Sequence, residues 1–179
     1  EQDIWNGAAA TNGSIAGFKE LMLADADVTD VGAGAAVTAA NVIDKMGLVV
    51  DAIPSTIYTS EDLYIYVSQN VARSYVRALG GFQATIGGAG TDDKGTQWYN
   101  GGGLSFDGVK IAVANGLPDN TMVAAEKSNL FFGTGLLNDQ NEIKVIDMAD
   151  IDGSQNVRVV MRYTAAVQYG LGSEIVLYS

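Results

Sequence analysis

Four arginines are spaced so that each pair could grip an anion. Arg73 and Arg77 stand four apart in a segment with helical periodicity, which puts both on one face. Arg158 and Arg162 stand four apart in a segment of period 2, which also puts them on one face. Like charges this close repel slightly, so a carboxylate or phosphate near them is favourable. The chain holds 21 acidic and 10 basic residues, so the expected partner is a carboxylate, within the chain or across a subunit boundary. The adjacent acids Glu61-Asp62 and Asp92-Asp93 do not converge on one substrate in either a helix or a strand, so a carboxylate-pair hydrolase is unsupported.

Asp150-Ile151-Asp152-Gly153-Ser154-Gln155-Asn156 resembles a calcium loop in composition. An EF-hand loop needs Gly at its sixth position and a carboxylate at its twelfth. Here Gly153 is fourth and Met161 is twelfth, so the stretch reads as a hairpin turn, with Asp150 and Asp152 as weak candidates for an incidental cation. Gly90 and Gly95 have the spacing of a phosphate-binding loop, but Thr96 stands where its Lys belongs. Gly32-Ala33-Gly34 lacks both a preceding strand and the third glycine of a dinucleotide loop. No cofactor is expected.

The absent residue types exclude more. There is no Cys and no His, which removes disulfides, thiolate sites, serine and cysteine triads, zincins and zinc fingers. Net charge is −11, unevenly placed: residues 1–62 hold 10 acids and 2 bases, residues 63–179 hold 11 acids and 8 bases. Such a chain does not bind nucleic acid through a general electrostatic surface. No apolar run reaches membrane-spanning length. The start, Glu1-Gln2-Asp3, lacks Met, a basic segment and an apolar segment, and reads as a processed or excised piece. Apolar residues are 47% of the 179, enough for a core in one domain or two small ones, while charged residues are only 17%, which suggests that part of the surface is normally covered.

The elements that must carry these residues can be read along the chain. Residues 1–36 read as a loosely held arm with a helical turn near Ile15–Leu23. A helix is expected over Thr38–Ala52, with Thr38 as N-cap, Ile43, Met46, Val50 and Ile53 on one face, and Pro54 as the stop. Leu63–Val67 predicts a buried strand feeding, past Ser68, a helix over Gln69–Leu79 with stripe Val71, Tyr75, Ala78 and Leu79. Residues 80–103 hold 9 Gly in 24 positions and include Trp98 and Tyr99; they predict a long mobile loop. Strands follow at Leu104–Phe106 and Val109–Ala114, joined by the hairpin dipeptide Asp107-Gly108, then at Thr121–Ala125, Glu142–Met148 and Glu174–Tyr178. Ser128–Leu130 reads as a single turn. From Val157 to Tyr169 the odd positions are apolar throughout, which predicts one strand of thirteen residues crossing between two substructures.

The order of these elements resembles the C-terminal two-thirds of a tailed-phage major capsid protein of the Hong Kong 97 fold. Gly17-Phe18 leads through an acidic stretch to a helix ending at Ile53-Pro54; Leu63–Val67 runs into Ser68-Gln69-Asn70 and a helix. Gly108-Val109-Lys110-Ile111 precedes Leu117-Pro118 and Thr121-Met122-Val123, and Ser128-Asn129-Leu130 precedes Phe132-Gly133. Asn156-Val157-Arg158 opens the long strand, and Glu174-Ile175-Val176-Leu177 closes the chain.

The resemblance implies an α+β fold in two parts. A peripheral part, residues 1–54 and 139–169, would hold the long helix and long strands; an axial part, residues 55–138 and 170–179, would hold a mixed sheet with helices. It implies a non-enzymatic shell subunit that associates with itself into pentamers and hexamers and touches other virion proteins. Packaged DNA would be met only indirectly, and a membrane not at all. The chain would be made in the bacterial host cytoplasm and reside in the virion. Contact candidates are Trp98 and Tyr99 at capsomer centres, Arg73 and Arg77, and Arg158 and Arg162 on the peripheral strand. The family's N-terminal arm and extended loop find little room before the first long helix, which implies a truncated form that folds as a monomer or small oligomer and builds no shells. The rival reading is a secreted or surface β-rich binding module with a weak cation site at 150–156.

Overall fold

The computed structural model describes residues 1–8, 15–32, 35–79, 103–135, 142–148, 153, 155–162 and 164–179. Among these, four α-helices and ten strands form a mixed α+β fold. The helices are α1 (Gln2–Asn6), α2 (Phe18–Ala24), α3 (Val42–Asp51) and α4 (Gln69–Ala78). The strands are β1 (Thr29–Asp30), β2 (Leu63–Val67), β3 (Ser105–Phe106), β4 (Val109–Val113), β5 (Met122–Glu126), β6 (Leu130–Thr134), β7 (Glu142–Asp147), β8 (Val157–Arg162), β9 (Ala165–Tyr169) and β10 (Val176–Tyr178).

Six strands make one mixed sheet in the order β1-β10-β5-β2-β4-β3. β2 runs parallel to β4 and antiparallel to β5, with Ile65 opposite both Ile111 and Ala124. Alternation sends side chains to two cores. Leu63, Ile65 and Val67 of β2, Met122 and Ala124 of β5, and Val176 and Tyr178 of β10 meet α3 and α4 on one face. Val123 and Ala125 of β5 and Leu177 of β10 meet α2 and β9 on the other. β5 and β10 are therefore covered on both sides, which is why they read as unbroken apolar runs.

α3 is ten residues long and starts later than expected. Its N-cap is Asn41 rather than Thr38, whose carbonyl accepts from the Val42 N–H at 2.9 Å. Its buried row is Val42, Met46, Val49 and Val50, continued by Ile53, while Ile43 is exposed. In α4 the buried residues are Val71, Ala72, Ser74, Tyr75 and Val76, and Leu79 lies outside the stripe. Ser68 holds the N-cap position, but its hydroxyl donates to Asn70 Oδ1 at 2.7 Å and accepts no bond from the helix N–H groups.

Residues 1–36 are more structured than a loose arm where they are described. Phe18, Met22 and Val28 are buried, Trp5 lies 5.3 Å from Phe18 and 5.2 Å from Tyr66 between ring centroids, and β1 pairs with β10. The Asp107-Gly108 turn is as expected, with φ 48° and 82°; both values are positive, and glycine tolerates such values without a Cβ clash. The expected thirteen-residue strand is divided. β8 pairs with β7 in one two-stranded sheet, and β9 pairs with β6 in another.

Candidate subunit-contact surfaces

The two arginine pairs lie on different elements, α4 and β8. Arg73 and Arg77 are exposed on the outer side of α4. Arg158 is exposed on β8, opposite Ile146 in the register, and Arg162 stands opposite Glu142. The Gly-rich stretch 80–102 with Trp98 and Tyr99 lies outside the described residues, as do Asp150 and Asp152. Among the described residues no group of three metal-ligating side chains is assembled, and no helix is long and apolar enough to cross a membrane.

Three polar junctions fix the connecting segments beneath these surfaces. At the first, Asn70 Nδ2 donates to Asn120 Oδ1 at 2.9 Å, and the Asn120 N–H returns a bond to Asn70 Oδ1 at 3.0 Å. Val37 N–H adds a second donor to Asn120 Oδ1 at 2.9 Å. At the second, buried Asn129 acts as an extra strand residue. Its Oδ1 accepts from the N–H groups of Gly170 at 3.0 Å and Leu171 at 2.8 Å, and its Nδ2 donates to the Leu171 carbonyl at 2.9 Å.

At the third, the Tyr169 hydroxyl donates to Asp25 Oδ2 at 2.7 Å and ties β9 to the end of α2. Burial, then the bond to Asp25, pushes the Tyr169 phenol up to about 12. The Asp25 carboxyl is held below its usual range, first by the Asp27 backbone N–H and then by this hydroxyl. These bonds stabilise negative charge on Asp25 and the protonated phenol of Tyr169. They hold β9 against the end of α2.

Sequence reasoning missed the exposed apolar surface. Ile143, Val145, Val157 and Val159 on the β7–β8 ribbon are all more than half exposed, as are Phe131 and Phe132 on β6. The period-2 pattern was visible in the sequence, but it gives the shared face of a row and not whether that face is covered. Val167 and Tyr169, in the same odd-numbered row, are buried near α2.

This arrangement is the fold of a phage capsid protein. Among solved structures, one from Mycobacterium phage Che8 matches with TM-score 0.60 and 16% identity over 88% of this chain and 55% of its own. A chain of the satellite phage P4 procapsid, in a structure including the size determination (Sid) protein, matches with TM-score 0.57 and 11% identity over 99% of this chain and 60% of its own. The virus-like particle from Pyrococcus furiosus matches with TM-score 0.52 and 8% identity over 88% and 58%. The 179 residues thus span less than two thirds of the length of each of these chains. No protein-family model matches the chain, and no curated protein sequence does.

Proposed function

We propose that this chain is a structural, non-enzymatic subunit of a phage capsid shell of the Hong Kong 97 type, acting by self-association into pentamers and hexamers that enclose a genome. The observation that carries the reading is the match of nearly the whole chain to phage, procapsid and virus-like-particle structures at identities too low to reflect anything but fold. Chemistry is consistent with it: the fold spends its polar groups on internal junctions and leaves apolar strands in water, as a subunit that completes its burial on association does.

In this reading, Trp98 and Tyr99 face capsomer centres, and Arg73, Arg77, Arg158 and Arg162 pair with carboxylates of neighbouring copies. A peripheral part of residues 1–54 and 139–169 and an axial part of 55–138 and 170–179 belong to the same proposal. The separate β7–β8 ribbon supports a distinct peripheral piece, while the packing of α3 on the six-stranded sheet ties the parts through one core. The chain would be made in the host cytoplasm and reside in the virion.

Electron cryomicroscopy of particles carrying this sequence tests the proposal. The expected map shows the six-stranded sheet with α3 and α4 repeated over the whole shell. A shell built of another fold, with this chain at one vertex or absent, would overturn it.

A further inference from the structure

α1 sits on two glycines that the local backbone does not require. Gly17 is the N-cap of α2 with φ −75° and ψ 166°, a conformation open to any residue. Gly116 stands in the turn that the Leu117 N–H closes on the Ala114 carbonyl at 3.1 Å, and its φ lies outside the left-handed region. Yet neither position has room for a side chain. The atoms nearest a Cβ on Gly17 would be the backbone N of Gly7, the backbone N of Asn6 and the Asp3 carbonyl oxygen. On Gly116 they would be the Glu1 carbonyl and the Trp5 ring. All of these belong to the segment around α1, and all would lie closer than van der Waals contact allows. Two glycines far apart in sequence therefore make room for one occupant.

That occupant is lightly held. α1 has five residues, none of them buried, and its N-cap makes no side-chain bond. A helix this short is not stable by itself in water. It is held from outside: the Trp5 ring lies 5.3 Å from Phe18 and 5.2 Å from Tyr66 between centroids, Ile4 packs on the second core, and the Gly17 N–H donates to the Gly7 carbonyl at 2.8 Å. The core beneath is built from other elements. Met22, Val123, Ile175 and Leu177 are buried there, and no residue of α1 is among its buried members.

We propose that residues 1–8 are a strap that opens and closes as a unit on a folded body, with Trp5 as its peg and Gly17 and Gly116 as its seat. Segments with few buried apolar contacts open at a lower free energy than the whole fold. Opening breaks the Gly17–Gly7 bond and uncovers the sides of Phe18 and Tyr66 that face Trp5; closing hides them. The strap thus decides when this aromatic surface meets water. Alanine at either glycine leaves the backbone of the body unstrained and denies the strap its seat. The device does not rest on the capsid reading.

The chain has two tryptophans, so Trp98→Phe leaves Trp5 as the sole tryptophan reporter. In that background, Gly17→Ala and Gly116→Ala are each expected to shift Trp5 emission and acrylamide quenching to the values of the urea-unfolded chain. The β5 and β10 amides should keep the slow hydrogen exchange of the parent. Gly47→Ala, at a glycine of α3 with open space around it, should leave the Trp5 signals unchanged. In the parent, the Gly17 amide should exchange several times faster than the β5 amides. Trp5→Ala adds no bulk and covers the case in which the alanine variants fail to fold: the Gly17 amide should lose its protection while β5 stays slow. Unchanged Trp5 signals in either folded glycine variant would overturn the strap. So would a Gly17 amide that exchanges at the rate of β5 in the parent, which makes release and global unfolding one event, or a Trp5→Ala chain that unfolds throughout.

Discussion

Asn70 and Asn120 exchange two hydrogen bonds, 2.9 and 3.0 Å long, between the first turn of α4 and the turn entering β5. Asn120 has φ 65°, a left-handed conformation that asparagine tolerates better than most residues, and its side chain also receives the Val37 N–H. One residue thus joins three segments far apart in sequence. Asn120→Ala should destabilise the chain by about 2–4 kcal/mol, from two lost acceptor bonds and the loss of asparagine's tolerance for left-handed backbone. Asn120→Gly should recover about 1 kcal/mol of that loss, because only the backbone cost is relieved. Urea unfolding of the two variants checks this; equal midpoints would contradict it.

Asp separates the two asparagine junctions. Asn120 Oδ1 only accepts, so Asn120→Asp keeps both bonds and should cost little. Asn129 uses its Nδ2 as a donor to the Leu171 carbonyl in a buried site, so Asn129→Asp sets an oxygen against an oxygen. It should cost about 2 kcal/mol or more, the usual penalty for an unmatched buried polar group. Thermal or urea unfolding at neutral pH gives the comparison.

The Tyr169–Asp25 bond makes stability depend on pH in two windows. The phenol is raised to about 12 in the fold, against about 10 in the unfolded chain. Its contribution is fully present below pH 10 and is lost as pH rises through 12, because the unfolded state releases the proton first. Asp25 is lowered, so its contribution is present above the ordinary carboxylate range and is lost as pH falls through the folded value. Tyr169→Phe should lower stability at pH 7 and flatten the decline between pH 10 and 12. An unchanged alkaline slope would show that the bond is not made in solution.

DNA should bind only weakly and without sequence preference. The chain carries −11, with 10 basic residues spread over 179 positions. Filter binding at about 50 mM salt favours phosphate contacts and is the sensitive condition. Sub-micromolar binding with a steep salt slope would contradict the expectation.

Much of the fold was legible where local chemistry dictates structure. Asp107-Gly108 announced its hairpin, Leu63–Val67 its buried strand, and the apolar spacing after Ser68 its helix. The failures came where tertiary contact decides. Ile43 fits the helical stripe by spacing, yet the sheet takes Val42 and Val49 instead. Residues 1–36 look loose because Gly and Ala dominate, but Trp5, Phe18 and Met22 suffice to seat two short helices on the second core. The alternation from Val157 to Tyr169 is real, but a period cannot say that β8 and β9 take partners in different sheets. The uncovered apolar row of the β7–β8 ribbon was visible only once burial was known.

The central claim is that this chain is a principal shell subunit. The most direct test purifies DNA-filled particles from a culture whose genome carries the sequence and quantifies every polypeptide by mass spectrometry. The account predicts that peptides from residues 1–179 belong to the most abundant protein of the particle. Their absence, or a copy number far below that of another shell protein, would contradict it.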